Sequence, residues 1–202
     1  MATTRQPQTI TIIPGARITA QEYARQPEEA GWRTELYRGV VVKMPLIKNL
    51  RHEWVAGNLH AALHNHVTPR HLGRVSMEQG GYDATLPGEP DHTIWGPDVA
   101  FVSADHIPAA LAAISRGDYA PAPDLVAEIV SESQSKADMR ECSERWLAAG
   151  TRLVWNVWPD VQAVDVWTPD DPMTTLKKGD ALDGRDVVPG FSMPVADLFV
   201  FA

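Results

Sequence analysis

Two short segments, Gly96-Pro97-Asp98-Val99-Ala100-Phe101-Val102 and Pro123-Asp124-Leu125-Val126-Ala127-Glu128-Ile129-Val130, set acids into runs that otherwise read as buried β-strand. A lone carboxylate taken out of water costs several kcal/mol or gives up its charge. A fold built around these strands therefore needs a partner for the acids. A divalent cation held between Asp98 and Glu128 meets that need most simply, and metal-assisted hydrolysis is the chemistry that follows.

The 202 residues suit one domain, 1–202, with residues 1–15 as an N-terminal extension, and a chain of this length buries enough surface to need no staples. One cysteine, Cys142, excludes an intramolecular disulfide and a multi-cysteine zinc site, so a reducing cytoplasm is the expected setting. Neither a signal peptide nor a membrane-crossing run is visible. A net charge of -8 argues against a protein that simply coats nucleic acid, which needs a basic face. A nuclease is compatible with it, because a metal neutralises its acids and its groove can be locally basic. Lys48, Arg51, Arg70 and Arg74 are candidates for such a patch, with scattered solubilising charge as the alternative.

Patterning along the chain is mixed α/β. Thr19-Ala20-Gln21-Glu22 is a capping box opening a short helix that Pro27 interrupts. Residues 34–37 and 40–44 form a hairpin about Arg38-Gly39. Apolar positions from Leu50 to Val67 recur at helical spacing and predict a helix packed on a sheet. Extended segments over 73–86, a loop at 87–90, the Asp98 strand, a helix over 108–115 and the Glu128 strand come next. A helix over 136–149 stops at Gly150, and strands over 153–157 and 161–167 flank Pro159-Asp160.

Each acid has a bland alternative. Asp98, after Pro97, could cap a turn at the start of a strand. Glu128 is harder to dismiss, since alternation puts it on one face with Val126 and Val130. Glu35 could be an ordinary cross-strand partner for a basic residue. His60 and His64 are one helical turn apart, and a solvated helix face explains them better than a shared metal. His52-Glu53 opens like a zinc-protease helix, but the second histidine that motif needs falls on Ala56.

In order and spacing, Ile18 to Tyr23, Thr34 to Gly39, His52, Pro97 to Ala100, Pro123 to Ser131, Ala149-Gly150, Trp155 and the closing Val188 to Pro194 together resemble the Uma-type family of putative restriction endonucleases, within the PD-(D/E)XK nuclease superfamily. The resemblance spans roughly Ala16 to Phe199. It implies a restriction-endonuclease-like α/β fold, a mixed central sheet flanked by helices, and DNA cleavage dependent on Mg²⁺ or Mn²⁺. Asp98 and Glu128 match the metal-binding acids, Glu35 matches an upstream acid that completes the site, and His52 matches a recurrent histidine that either contacts the site or makes a structural hydrogen bond. A homodimer is also implied, and Trp155, Trp158 and Trp167 on the late strands suggest a covered face.

One departure bears on activity. The superfamily pattern has a lysine two residues after the second acid, where this chain has Val130, and the Uma-type variant takes it from the next helix, where the matching position is Cys142. Leu153 and Trp158 also stand where acids are usual. Arg140 should face away from position 142, and Arg145 lies a turn further on. Lys136, at the helix start, is the expected substitute as charge donor. Two readings follow: a metal-dependent endonuclease using Asp98, Glu128, Glu35 and Lys136, or a binding or regulatory module that keeps the fold with an impaired site.

Overall fold

The computed structural model describes residues 11–12, 17–27, 29–45, 49–77 and 80–201. Lys48 and most of the expected N-terminal extension lie outside them. In chain order the elements are β1 (Thr11–Ile12), α1 (Ala20–Tyr23), β2 (Trp32–Tyr37), β3 (Val40–Pro45), α2 (Leu50–Val67), β4 (Gly73–Met77), β5 (Tyr82–Asp83), β6 (Ile94–Trp95) and β7 (Val99–Ser103). There follow α3 (Ile107–Ser115), β8 (Ala120–Pro121), β9 (Leu125–Ile129), α4 (Lys136–Ala148), β10 (Leu153–Trp158), β11 (Ala163–Trp167), β12 (Thr174–Lys177), β13 (Ala181–Asp183) and β14 (Ser192–Pro194).

The central sheet has the order β12-β11-β10-β9-β7-β4. Within it β9 and β10 pair in parallel, because α4 connects them and returns the chain to the same end of the sheet. A second sheet, β1-β3-β2-β6-β5-β8, carries the hairpin. Arg38 and Gly39 both take positive φ, 48° and 75°, which is the tight primed turn that a right-twisted hairpin requires. This is the mixed α/β architecture expected from the sequence.

Alternation along β9 divides the core. Leu125, Ala127 and Ile129 join Phe101, Trp155 and the α2 residues Val55, Leu59 and Leu63 in one cluster, while Val126 packs with Ala100, Val154 and Trp146 of α4 in another. Glu128 has the parity of Val126 and so belongs to the α4 side. The strand expected from Val161 begins at Ala163, because Gln162 adopts φ 50° to complete the preceding turn. Trp155 is fully buried and stacks on Phe191 at 6.0 Å, and Trp158 donates to Asp165 at 2.8 Å. Trp155 thus serves the core and gives no argument for a covered face, while Trp158 and Trp167 are half-buried.

Candidate active site

Antiparallel pairing of Val99 with Ala127 carries one step further to Asp98 opposite Glu128, at the same end of two adjoining strands. Asp98 is 5% exposed, and its Oδ2 accepts from the Ile129 amide at 2.7 Å while lying 3.1 Å from His52 Nε2 on α2. The first turn of α2, capped by Asn49, therefore fixes the rotamer of Asp98. Of the two readings of His52, the hydrogen bond is the one observed, and its partner is a candidate site acid.

Glu128 accepts from Trp146 Nε1 at 3.2 Å and faces Cys142 Sγ at 3.9 Å, both through Oε1, while Oε2 has no hydrogen bond among the described residues. Burial above all, then the charges of Asp98 and Glu35, push its carboxyl up to about 8 against the opposing pull of Arg33 and Trp146. The Cys142 thiol is also raised, by burial first and then by Glu128, so it is a packed neutral neighbour and not a nucleophile.

Arg33 was not singled out in the sequence, and it enters here from β2. It shares a strand face with Glu35, two residues on, and its Nη2 donates to Glu35 Oε1 at 2.5 Å and to the Gly96 carbonyl. Glu35 Oε1 in turn accepts from the Gly96 amide at 3.3 Å. The pair clamps the peptide that leads into Pro97-Asp98. Burial disfavours the guanidinium charge, but Glu35, Asp98 and Glu128 outweigh it and hold Arg33 firmly protonated.

Register reveals a further polar neighbour. Glu128 pairs with Asn156, Asn156 with Asp165, and Asp165 with Thr175, a polar row across four strands. Asn156 is 1% exposed, donates to Ser143 at 2.8 Å and leaves Oδ1 without a partner. Asp124, at the other end of β9, shows what a satisfied buried acid looks like: Ser103 N at 2.7 Å and His106 Nδ1 at 2.8 Å occupy its two oxygens.

The remaining candidates are dispersed. Lys136 is exposed at the first position of α4 and makes no hydrogen bond or ion pair among the described residues. Arg140 pairs with Glu144 on the surface, as its helical angle implies, and Arg145 is bound to Glu89. Arg51 pairs with Asp160, and Arg70, about 28 Å along the helix axis, bonds the His66 carbonyl, so these two form no common patch. His60 and His64 stack at 5.7 Å.

Three carboxylates, Asp98, Glu128 and Glu35, face one guanidinium, so the fully ionised cluster carries an excess of negative charge that protons or a dication must cancel. Among the described residues no three His, Cys, Asp or Glu side chains converge as a ligand set. An ion that takes few protein ligands and keeps several waters, as Mg²⁺ does, fits Asp98 and Glu128, with Glu35 committed to Arg33 and Gly96.

Residues 20–196 match Uma2, a family described as putative restriction endonuclease. The chain belongs to that family. It is also similar in fold to the crystal structure of a putative nuclease belonging to DUF820 from Anabaena variabilis, with a TM-score of 0.72 and 21% identity over 90% of this chain and 97% of that one. No curated protein matches it. Among the described residues no helix is long and apolar enough to cross a membrane.

Two expected results follow for this Uma2 chain. A carboxyl raised above its ordinary value of 4.5 binds its proton more tightly in the folded state, so the contribution of Glu128 to metal-free stability is whole below pH 4.5 and is lost as pH rises through about 8. Thermal unfolding between pH 5.5 and 8.5 should show that fall in wild type and a flatter curve in Glu128→Gln. Were a dication held on Asp98, His52→Asn would weaken Mn²⁺ uptake by about 10- to 100-fold, measured by titration calorimetry, because Asp98 loses the contact that orients it.

Proposed function

We propose that this Uma2-family chain is a metal-dependent endonuclease that hydrolyses DNA phosphodiester bonds, with Asp98 and Glu128 holding Mg²⁺ or Mn²⁺. The observation that supports it most is the pairing of buried Asp98 with half-buried Glu128 at adjoining strand ends, in a cluster whose negative charge exceeds its positive charge. Such an ion, when bound, supplies charge stabilisation at the phosphoryl oxygens and lowers the pKa of an attacking water.

The chain's own residues do the arranging. His52 and the Ile129 amide hold Asp98, Trp146 holds Glu128, and Glu35 with Arg33 holds the backbone at Gly96. A net charge of -8 then makes DNA approach depend on the site's local field and not on the protein's overall charge. With its one cysteine unpaired, the protein suits the reducing cytoplasm.

The test is nicking of supercoiled plasmid with Mg²⁺, with Mn²⁺ and with chelator. Metal-dependent nicking by wild type that is lost in Asp98→Ala is the expected result. Absence of nicking in wild type with its appearance in Cys142→Lys would favour the impaired module instead.

A further inference from the structure

We infer that Arg33 is the cation that meets the scissile phosphate, binding a phosphoryl oxygen of the DNA backbone and stabilising the charge that builds there as the ester bond breaks. The inference rests on the nuclease reading above and assigns the role that neither Val130 nor Cys142 can fill.

Phosphodiester hydrolysis forms a bond from a water oxygen to phosphorus and breaks one phosphorus–oxygen ester bond. The water gives up a proton and the leaving oxygen takes one up, so no other reactant is needed. Negative charge gathers on the phosphoryl oxygens, and a fixed cation in a water-poor site is the most effective way to stabilise it. The other described cations around the site are exposed or engaged elsewhere: Arg51, beside His52, pairs with Asp160 and is half exposed. Arg145 is held by both oxygens of Glu89 at 2.9 Å, Arg38 also reaches Glu89 at 3.2 Å, Arg140 pairs with Glu144, and Lys136 is exposed.

Arg33 differs from all of them. Its side chain is 18% exposed, and its bonds to Glu35 and Gly96 place it two residues from Asp98 along the clamped peptide. Asp98 and Glu128 both act on its charge. A guanidinium carries five N–H donors in a planar fork suited to phosphate, so Arg33 can keep Glu35 and Gly96 while exchanging a site carboxylate for a phosphoryl oxygen. Once the acids are committed to a dication, the incoming phosphate is the remaining anion in reach.

A merely structural clamp predicts something different, and a charge swap separates the two. Single-turnover plasmid cleavage with Mn²⁺, with Mn²⁺ uptake followed in parallel by calorimetry, is measured for wild type, Arg33→Met, Cys142→Lys and Arg33→Met/Cys142→Lys. Arg33→Met should cleave about 10²-fold more slowly. Its Mn²⁺ uptake should stay within about tenfold of wild type's, because the loss of a competing cation offsets the loosened clamp at Gly96. The double variant should regain about tenfold or more, since a lysine at 142 stands beside Glu128 but cannot rebuild the Gly96 clamp. Cleavage by Arg33→Met within about threefold of wild type, Mn²⁺ uptake weakened by more than about tenfold, or no recovery in the double variant overturns the inference while leaving the nuclease reading intact. If Arg33→Met fails to fold, Arg33→Lys replaces it: cleavage within about tenfold of wild type supports the charge role, and a larger loss overturns it. A wild type that neither cleaves nor takes up metal overturns both.

Discussion

Asp98→Asn should lower metal-dependent cleavage by about 10³-fold or more while the protein stays folded. Asparagine keeps an acceptor for the Ile129 amide, 2.7 Å away in the wild type, so the strand junction survives and only the charge is lost. Glu128→Gln should cost activity on the same scale, with an opposite effect on stability. Its carboxyl is pushed up to about 8 by burial and by the neighbouring acids, so the neutral isostere removes a strained ionisation while keeping an acceptor for Trp146. Above pH 7 the metal-free Glu128→Gln protein should melt higher than wild type and yet cleave nothing measurable. That trade of stability for function is what a site built for a cation should show.

The second large effect concerns stability. Arg145→Met should destabilise the fold by about 3 to 5 kcal/mol, or roughly 10 °C in Tm, read by denaturant and thermal unfolding. Its side chain is 5% exposed, forms a two-pronged bond with Glu89 at 2.9 Å on each prong, donates to Ala84 O at 3.3 Å, and lies 5.2 Å from the Tyr37 ring centre and 5.7 Å from that of Trp95. Methionine fills part of the volume but abandons those acceptors. Hydrogen bonding to Arg145 pulls the Glu89 carboxyl down to about 2, so this contribution is present above pH 4.5 and is lost as pH falls towards 2. The double variant Arg145→Met/Glu89→Gln should lose less than the sum of the two single changes, because neither charge is then left alone.

Position in the chain made some of this legible. Asp98 and Glu128 stood out because a carboxylate inside an apolar run contradicts the pattern around it, and the contradiction needs no knowledge of distant partners. Arg38-Gly39 and Gly150 were readable for a similar reason, since turns and helix ends are decided by a few adjacent residues. Arg33 was different. An arginine in a hairpin strand is unremarked until Gly96, 63 residues away, and Glu35 close around it. Its spacing of two from Glu35, which puts both on one strand face, was the available signal.

Long-range register hid the rest. Helical angle alone brought Arg145 into consideration for the site, but Glu89, 56 residues away in sequence, captures it instead. Asn156 became a neighbour of Glu128 only through the parallel pairing that α4 imposes on β9 and β10. Lys136 illustrates the converse, since a long flexible stem makes a reach conceivable from sequence, and the helix start leaves the side chain in solvent. Trp155 looked available for an interface because composition does not reveal which face of a strand meets the core.

The claim beneath all of this is that a dication balances Asp98 and Glu128. Titration calorimetry of Mn²⁺ into folded wild type at pH 8 tests it directly, with Asp98→Asn and Glu128→Gln as companions. Saturable uptake by wild type that both substitutions abolish is the expected result; no uptake, or uptake indifferent to either substitution, would contradict it.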